Sequence, residues 1–263
     1  MADTLDLLHA VDVAQRAVAA GGAAALGYWR RGLSATPKAD GSPVTQADRA
    51  AEAAILDVLR WHFPRHAILA EESGAHGPNT TDHPTWIVDP LDGTYAFLRG
   101  SHVWGPLVAL SIHGEVVVGA MALPALKEAY WAGQGLGAWC NDARLQVSAV
   151  ADWSEAALAL GSVRPLLAGP HAAGVAQLMR TAHRTYAPGD LGGAALVLGG
   201  QADVWLESGV DVWDLAPFRI LVTEAGGRFT DLTGGKDLGA GGAVVSNGHL
   251  HDHVLAQLIA TEA

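Results

Sequence analysis

Over the first thirty positions Leu7, Leu8, Val11, Val13, Ala14 and Val18 recur at helical spacing, which predicts a helix from Leu5 to about Arg31 with one apolar face. Lys38 to Val44 is turn-rich. Thr45 then reads as the N-cap of a second helix, with Asp48 in its first turn, that runs to about His62 and is stopped by Pro64. Beyond that point the period shortens to that of strands. Ala67 to Ala70 reads as a strand ending in Glu71-Glu72-Ser73-Gly74, the polar stretch from His76 to Pro84 as a mobile loop, and Trp86 to Val88 as the next strand. Leu107 to Ile112, Val116 to Leu123 and Glu128 to Ala132 predict an antiparallel meander with turns such as His113-Gly114. Past Trp153 strand and helix signals alternate: Leu158 to Val163, a helix from Ala172 to His183, Ala194 to Leu198, and a strand from Ala202 to Leu206. A helix from Leu215 to Ala225 stops at Gly226-Gly227, and a strand from Gly241 to Ser246 precedes a closing helix from Leu250 to Ile259. The change of texture near 149 divides the chain into halves, 1–148 and 149–263, with no linker-like composition between them, so the halves are expected to pack together.

Composition narrows the function. Half of the 263 residues are hydrophobic and 16% are charged, and the formal net charge is −11. No basic stripe suggests nucleic-acid binding. The apolar runs are broken by glycine or proline before they reach the length of a membrane span. The N-terminus carries acids where a signal peptide would carry basic residues, and the single cysteine, Cys140, excludes an internal disulfide. These features predict a soluble, cytoplasmic protein. Gly133, Gly135 and Gly137 match a dinucleotide fingerprint in spacing alone; they fall in a turn between Trp131 and Trp139.

The acids carry the chemistry. Asp89 and Asp92 flank Pro90-Leu91 directly after an apolar run, and Gly93-Thr94 follows. A strand delivering two carboxylates into a glycine turn suits a hard divalent cation, and such cations partner phosphate. An acidic chain that handles phosphate needs positive charge from elsewhere, which a metal supplies. Asp48, Glu71 and Asp214 occupy further strand ends or helix starts; each alone also reads as a cap or a solvated acid.

The chain resembles the inositol-monophosphatase family of Mg²⁺-dependent phosphatases. The resemblance rests on Glu71-Glu72-Ser73-Gly74, Asp89-Pro90-Leu91-Asp92-Gly93-Thr94, Trp213-Asp214-Leu-Ala with Thr223-Glu-Ala-Gly-Gly227, and the run from Lys38 to Asp48. It implies a layered αβαβα sandwich of the inositol-monophosphatase and fructose-bisphosphatase type. It also implies that Glu71, Asp89, Asp92, Asp214 and the carbonyl of Leu91 hold Mg²⁺, and that Thr94 with Asp48 activates the attacking water. Gly93 and Thr94 are expected to meet phosphate oxygens. Where many relatives carry asparagine two positions after the motif threonine, this chain has Ala96, so a hydrogen bond near the metals is expected to be missing.

Phe97 to Leu110, with Arg99-Gly100 and Trp104-Gly105, is similar to the histidinol-phosphate phosphatase branch, as are Gly189-Asp190-Leu-Gly192 and Gly200-Gln-Ala-Asp203. L-Histidinol phosphate is therefore the expected substrate, with Glu207 and Asp190 as the acids that meet its cationic half. Inositol 1-phosphate, a broad small-ester activity and a non-catalytic binding role are the alternatives. Asp211 reads as the residue that opens the helix rather than as a pocket acid, Arg164 as a surface residue rather than a phosphate contact, and Lys38 equally as a residue that draws its loop toward the metal site or as a solvated loop lysine. His249, His251 and His253 read as solvated or capping residues where a turn meets a helix, not as zinc ligands. Family relatives commonly pair, so a homodimer is expected.

Overall fold

The computed structural model describes residues 6–38, 43–78 and 83–259. Parts of the turn-rich and polar loops, 39–42 and 79–82, lie outside that range, and so does the expected mobility of the second. Helix α1 (Leu7–Leu26) starts at the Asp6 cap, whose side chain accepts the His9 N–H, and ends five residues short of Arg31 in a series of turns. A short hairpin, β1 (Thr36–Pro37) and β2 (Pro43–Val44), leads to α2 (Gln46–His62). Then come β3 (Ala67–Ala70), β4 (Gly74–His76), β5 (Thr85–Asp92), the short helix α3 (Thr94–Leu98), β6 (Gly105–Ile112), β7 (Glu115–Leu123), β8 (Glu128–Gly133), β9 (Gly137–Cys140) and β10 (Ala143–Arg144). All of β3 to β10 join one eight-stranded sheet in the order β10-β9-β8-β7-β6-β5-β3-β4, in which β6, β7 and β8 form the expected meander.

A second sheet follows a single 3₁₀ turn. It has β11 (Ala157–Leu160), α4 (Val163–Ala168), α5 (Ala172–Thr181), β12 (Arg184–Tyr186), α6 (Asp190–Leu198), β13 (Val204–Ser208), α7 (Val212–Glu224), β14 (Arg228–Thr230), β15 (Gly242–Ser246) and α8 (His251–Ile259). Its strand order is β12-β11-β13-β15-β14. The predicted Leu158–Val163 segment is thus a four-residue strand that gives way to α4. Two edge strands, β12 and β14, are three residues long and carried no legible alternation.

Burial sorts the elements into five layers. Ala10, Val13, Ala17 and Val18 of α1 and Ile55 and Leu59 of α2 pack on Trp86, Val88, Val108, Leu110 and Val118 of the first sheet. The opposite face of that sheet, with Ile87, Leu107, Ala109 and Met121, meets Leu191 and Val197 of α6 and Leu215, Phe218 and Leu221 of α7. The same middle layer covers Trp205 and Val245 of the second sheet. Leu166, Val175, Leu178, Val254 and Leu258 from α4, α5 and α8 close its far face over Leu158, Leu160, Val204 and Val244. The result is the αβαβα sandwich. A strand with both faces covered reads as a continuous apolar run, which is why β5, β6 and β7 showed little alternation.

The middle layer sits tightly. Gly119 of β7 has an ordinary backbone conformation, yet an added Cβ would lie 2.6 Å from both Ile220 Cγ2 and the Pro217 carbonyl of α7. At the end of α7, Glu224 accepts the Gly135 and Gly137 N–H groups at 2.8 Å each, clamping the glycine turn between β8 and β9. Gly135 and Gly137 thus have a structural role in this turn. Gly119→Ala should therefore push α7 from the sheet and cost about 1–3 kcal/mol, read as a fall of several degrees in Tm. A Tm within about 1 °C of the parent would show that the contact is not tight.

Candidate active site

The site grows out of an irregularity in β5. Residues three apart on a regular strand face opposite sides of a sheet. Asp89 pairs with Leu107 and Asp92 with Gly105, so two residues of β5, Pro90 and Leu91, stand opposite the single Pro106 of β6. Proline brings no N–H to the ladder, and the extra residue makes a bulge that bends the strand. Asp89 and Asp92 are thereby turned to the same side, and the strand extends four residues past Val88, through the acids rather than stopping at them.

Asp214 joins them from α7. Oxygens of Asp89, Asp92 and Asp214 lie within 4.8 Å of one another. The helix begins earlier than the pattern suggested: Asp211 is its N-cap, and Asp214 is its third residue, with Oδ2 accepting the Asp211 N–H at 2.7 Å. Capping and clustering are therefore not alternatives for Asp214, and Asp211 opens the helix as expected. Asp48 has the same design. It is the third residue of α2 and fully buried, and its Oδ2 accepts the Thr45 N–H at 2.8 Å and the Thr45 hydroxyl at 2.6 Å. Its other oxygen, Oδ1, lies 3.0 Å from the Thr94 hydroxyl, which stands 3.1 Å from the Leu91 carbonyl. Thr94 follows Gly93, whose φ of 81° lies in the left-handed region open to glycine and turns the chain from β5 into α3.

Glu71 borders the three-acid cluster: its carboxylate is within hydrogen-bonding reach of Asp89, and its charge acts on both Asp89 and Asp214. Its Oε1 is 2.7 Å from Lys38 Nζ, which also reaches Glu72 Oε1 at 2.5 Å. Burial opposes the Lys38 charge, but the two carboxylates prevail and raise its pKa. Lys38 is thus tied to a candidate ligand rather than loose in a loop. From the second half, Leu191 donates its N–H to Asp92 Oδ2 at 2.6 Å, a contact 99 residues long in sequence that the pattern did not announce. Asp190, before it, takes a strained φ of 43°, and its carboxylate lies against Gly93. Glu207 is buried on β13 and accepts the Ser162 N–H at 2.7 Å. Arg164 is exposed on α4, as expected.

His251 corrects an expectation. It is fully buried, with Nδ1 2.8 Å from Ser246 Oγ and Nε2 3.0 Å from Thr230 Oγ1, and burial drives its pKa down to about 4. It is a core histidine, inward-facing because α8 begins there and packs on β15. His253 is exposed and stacks on Trp153.

The electrostatics test whether a cation fits. Burial, then the charges of Glu71, Asp214 and Asp92, hold Asp89 well above the usual carboxylate range. Burial, then Asp190, Asp214 and Glu207, does the same to Asp92. Burial pushes Asp214 and Glu207 up to about 7 each. Carboxylates so placed must keep protons or share a cation. An all-oxygen donor set of this kind suits a hard divalent ion, with Asp89, Asp92 and Asp214 as the residues to hold it.

These features define a metal-dependent phosphatase fold, and the comparisons agree. The inositol monophosphatase family model matches residues 6–262; the chain belongs to this family and is a phosphoric monoester hydrolase. A histidinol-phosphatase of Mycobacterium tuberculosis is 41% identical over 230 residues, covering 84% of this chain and 86% of its own. An inositol-1-monophosphatase of Mesorhizobium japonicum is 34% identical over 231 residues, 86% of each chain. The solved structure of the extragenic suppressor protein suhB from Bartonella henselae matches with a TM-score of 0.88 at 29% identity, over 95% of this chain and 98% of that one.

The raised carboxylates set a pH dependence. A folded pKa near 7 for Asp214, against about 4 unfolded, means that the folded metal-free protein holds protons which the unfolded chain releases. Stability is full below the unfolded value and is lost as pH rises through 7. In EDTA, Tm should fall between pH 5 and pH 8. A divalent cation should restore it, with the larger gain at pH 8. Equal gains at both pH values would count against the cluster as the binding site.

Proposed function

We propose that the chain hydrolyses L-histidinol phosphate to histidinol and phosphate with Mg²⁺ as its metal. The observation that carries this reading is the acid set beyond the metal cluster. Asp190 and Glu207 add two carboxylates beside Asp92 and Asp214, and burial raises the pKa of both. An ester whose alcohol half bears an ammonium group and an imidazole suits such a wall better than a neutral alcohol does, because each cation offsets a desolvated charge. The higher identity to the Mycobacterium tuberculosis histidinol-phosphatase, 41% against 34% for the inositol-1-monophosphatase, supports the same choice.

Bound Mg²⁺ would supply charge neutralisation for the phosphate and a lowered pKa for a coordinated water. The protein supplies the rest. With its hydrogen donated to Asp48 Oδ1, Thr94 Oγ1 offers lone pairs to a water hydrogen and so fixes the line of attack on phosphorus. Asp48 Oδ1 takes the proton that the water sheds, relayed through that hydroxyl. Its Oδ2 is held by both donors of Thr45, which keeps the carboxylate from turning away. As the new P–O bond forms, the ester P–O bond breaks, the alcohol oxygen takes up a proton from solvent water, and Asp48 returns to solvent the proton it accepted. An intact Thr94–Asp48 pair also favours catalysis over a purely binding role.

Two measurements test this. Purified protein with Mg²⁺ should hydrolyse L-histidinol phosphate with a kcat/KM at least about tenfold above that for inositol 1-phosphate, the spread expected from one satisfied charge-assisted contact. Equal turnover of both esters would defeat the substrate assignment. Thr94→Ala should lower kcat by about 10² or more while Mn²⁺ still binds, as followed by its electron paramagnetic resonance signal. Unchanged kcat would remove Thr94 from the chemistry.

A further inference from the structure

Gly161 is a glycine that its own backbone does not require. It follows β11, and its N–H donates to the Leu206 carbonyl at 2.9 Å. Its φ lies outside the left-handed region, so any residue could adopt its conformation. What excludes a side chain is Glu207. An added Cβ at 161 would overlap Cδ and Oε2 of that carboxylate. Glu207 is 2% exposed, and its Oε1 takes both the Ser162 N–H at 2.7 Å and the Ser208 N–H at 3.0 Å. Oε2 accepts from no donor among the described residues. The carboxylate is therefore pinned by one oxygen and seated in the hollow left by a missing side chain, with its second oxygen over Gly161 and without a donor among the described residues, and the charges of Asp190 and Asp214 reach the group.

We propose that Gly161 is a positioning residue for substrate selection: the space above it seats the Glu207 carboxylate so that Oε2 meets a cationic or hydrogen-bond-donating group on the alcohol half of the ester. This rests on the reading of Glu207 as the acid on the alcohol side. A methyl group at 161 would force the flexible end of Glu207 aside without disturbing the backbone. Both the Ser162 contact and the direction of Oε2 would then be lost.

The experiment compares the parent protein, Gly161→Ala, Glu207→Asp and the double variant G161A/E207D, each with L-histidinol phosphate and with p-nitrophenyl phosphate, whose leaving group carries no cation. In Gly161→Ala the preference for L-histidinol phosphate, as a ratio of kcat/KM values, should fall about tenfold, the loss expected for one charge-assisted contact. The loss should appear mainly in KM, since the contact is made in the ground state as well. Aspartate is one methylene shorter and leaves room for the methyl group. The double variant should therefore recover Tm relative to the sum of the two single losses, a coupling that a purely structural role for Gly161 elsewhere would not produce. An undiminished preference in Gly161→Ala, or additive Tm losses in the double variant, would overturn the proposal. A parent protein with no preference between the esters would instead defeat the Glu207 reading, and the Tm coupling would still decide whether Gly161 seats the carboxylate.

Discussion

The structure depends on holding several carboxylates close together, Asp89 buried and Asp92 and Asp214 half-buried. Like charges at such separations repel strongly wherever the surroundings are less polar than water. Asp89, Asp92 and Asp214 nonetheless share a space in which their oxygens are within 4.8 Å. Two kinds of positive partner make this tolerable. One is the cation that the donor set calls for. The other is built from the backbone: α2, α6 and α7 all begin here. They bring the positive ends of three helix dipoles and N–H groups such as that of Leu191, which donates to Asp92.

The two capping acids show how one residue can serve folding and chemistry together. Asp48 and Asp214 each occupy the third position of a helix and satisfy the backbone N–H of the cap residue with one oxygen. For Asp48 that leaves the second oxygen for Thr94; Asp214 joins the acid cluster. Because the capping bond fixes each side chain before any ligand arrives, little conformational entropy remains to be lost on binding. Removing either acid would weaken a helix start as well as the site.

Much of this was legible in the chain. Helical periodicity found α1 and α2, the meander from β6 to β8 showed as apolar runs between turns, and the order of acidic motifs carried the family resemblance. What escaped had physical causes. The three-residue edge strands β12 and β14 are too short to display a period. The helices α3, α4 and the first half of α6 are short or glycine-rich and hold their shape through packing rather than propensity. His251 looked like a surface residue because its neighbours His249 and His253 shared its polarity, and only the packing of α8 on β15 sends it inward.

The amino-acid sequence by itself determined which chemistry was available: carboxylates beside a proline and a glycine, a threonine after them, and caps at helix starts, all of which act through neighbours a few residues away. Tertiary structure decided which of those groups meet. The bulge at Pro90 and Leu91 turned Asp89 and Asp92 to one side, and the middle helical layer carried Asp214, Asp190 and Leu191 to them from more than ninety residues away. Lys38 was drawn to Glu71, and Glu207 was seated over Gly161, for the same reason. Contacts of that range depend on how sheets and helices stack, and stacking follows from burial summed over the whole chain rather than from any local pattern.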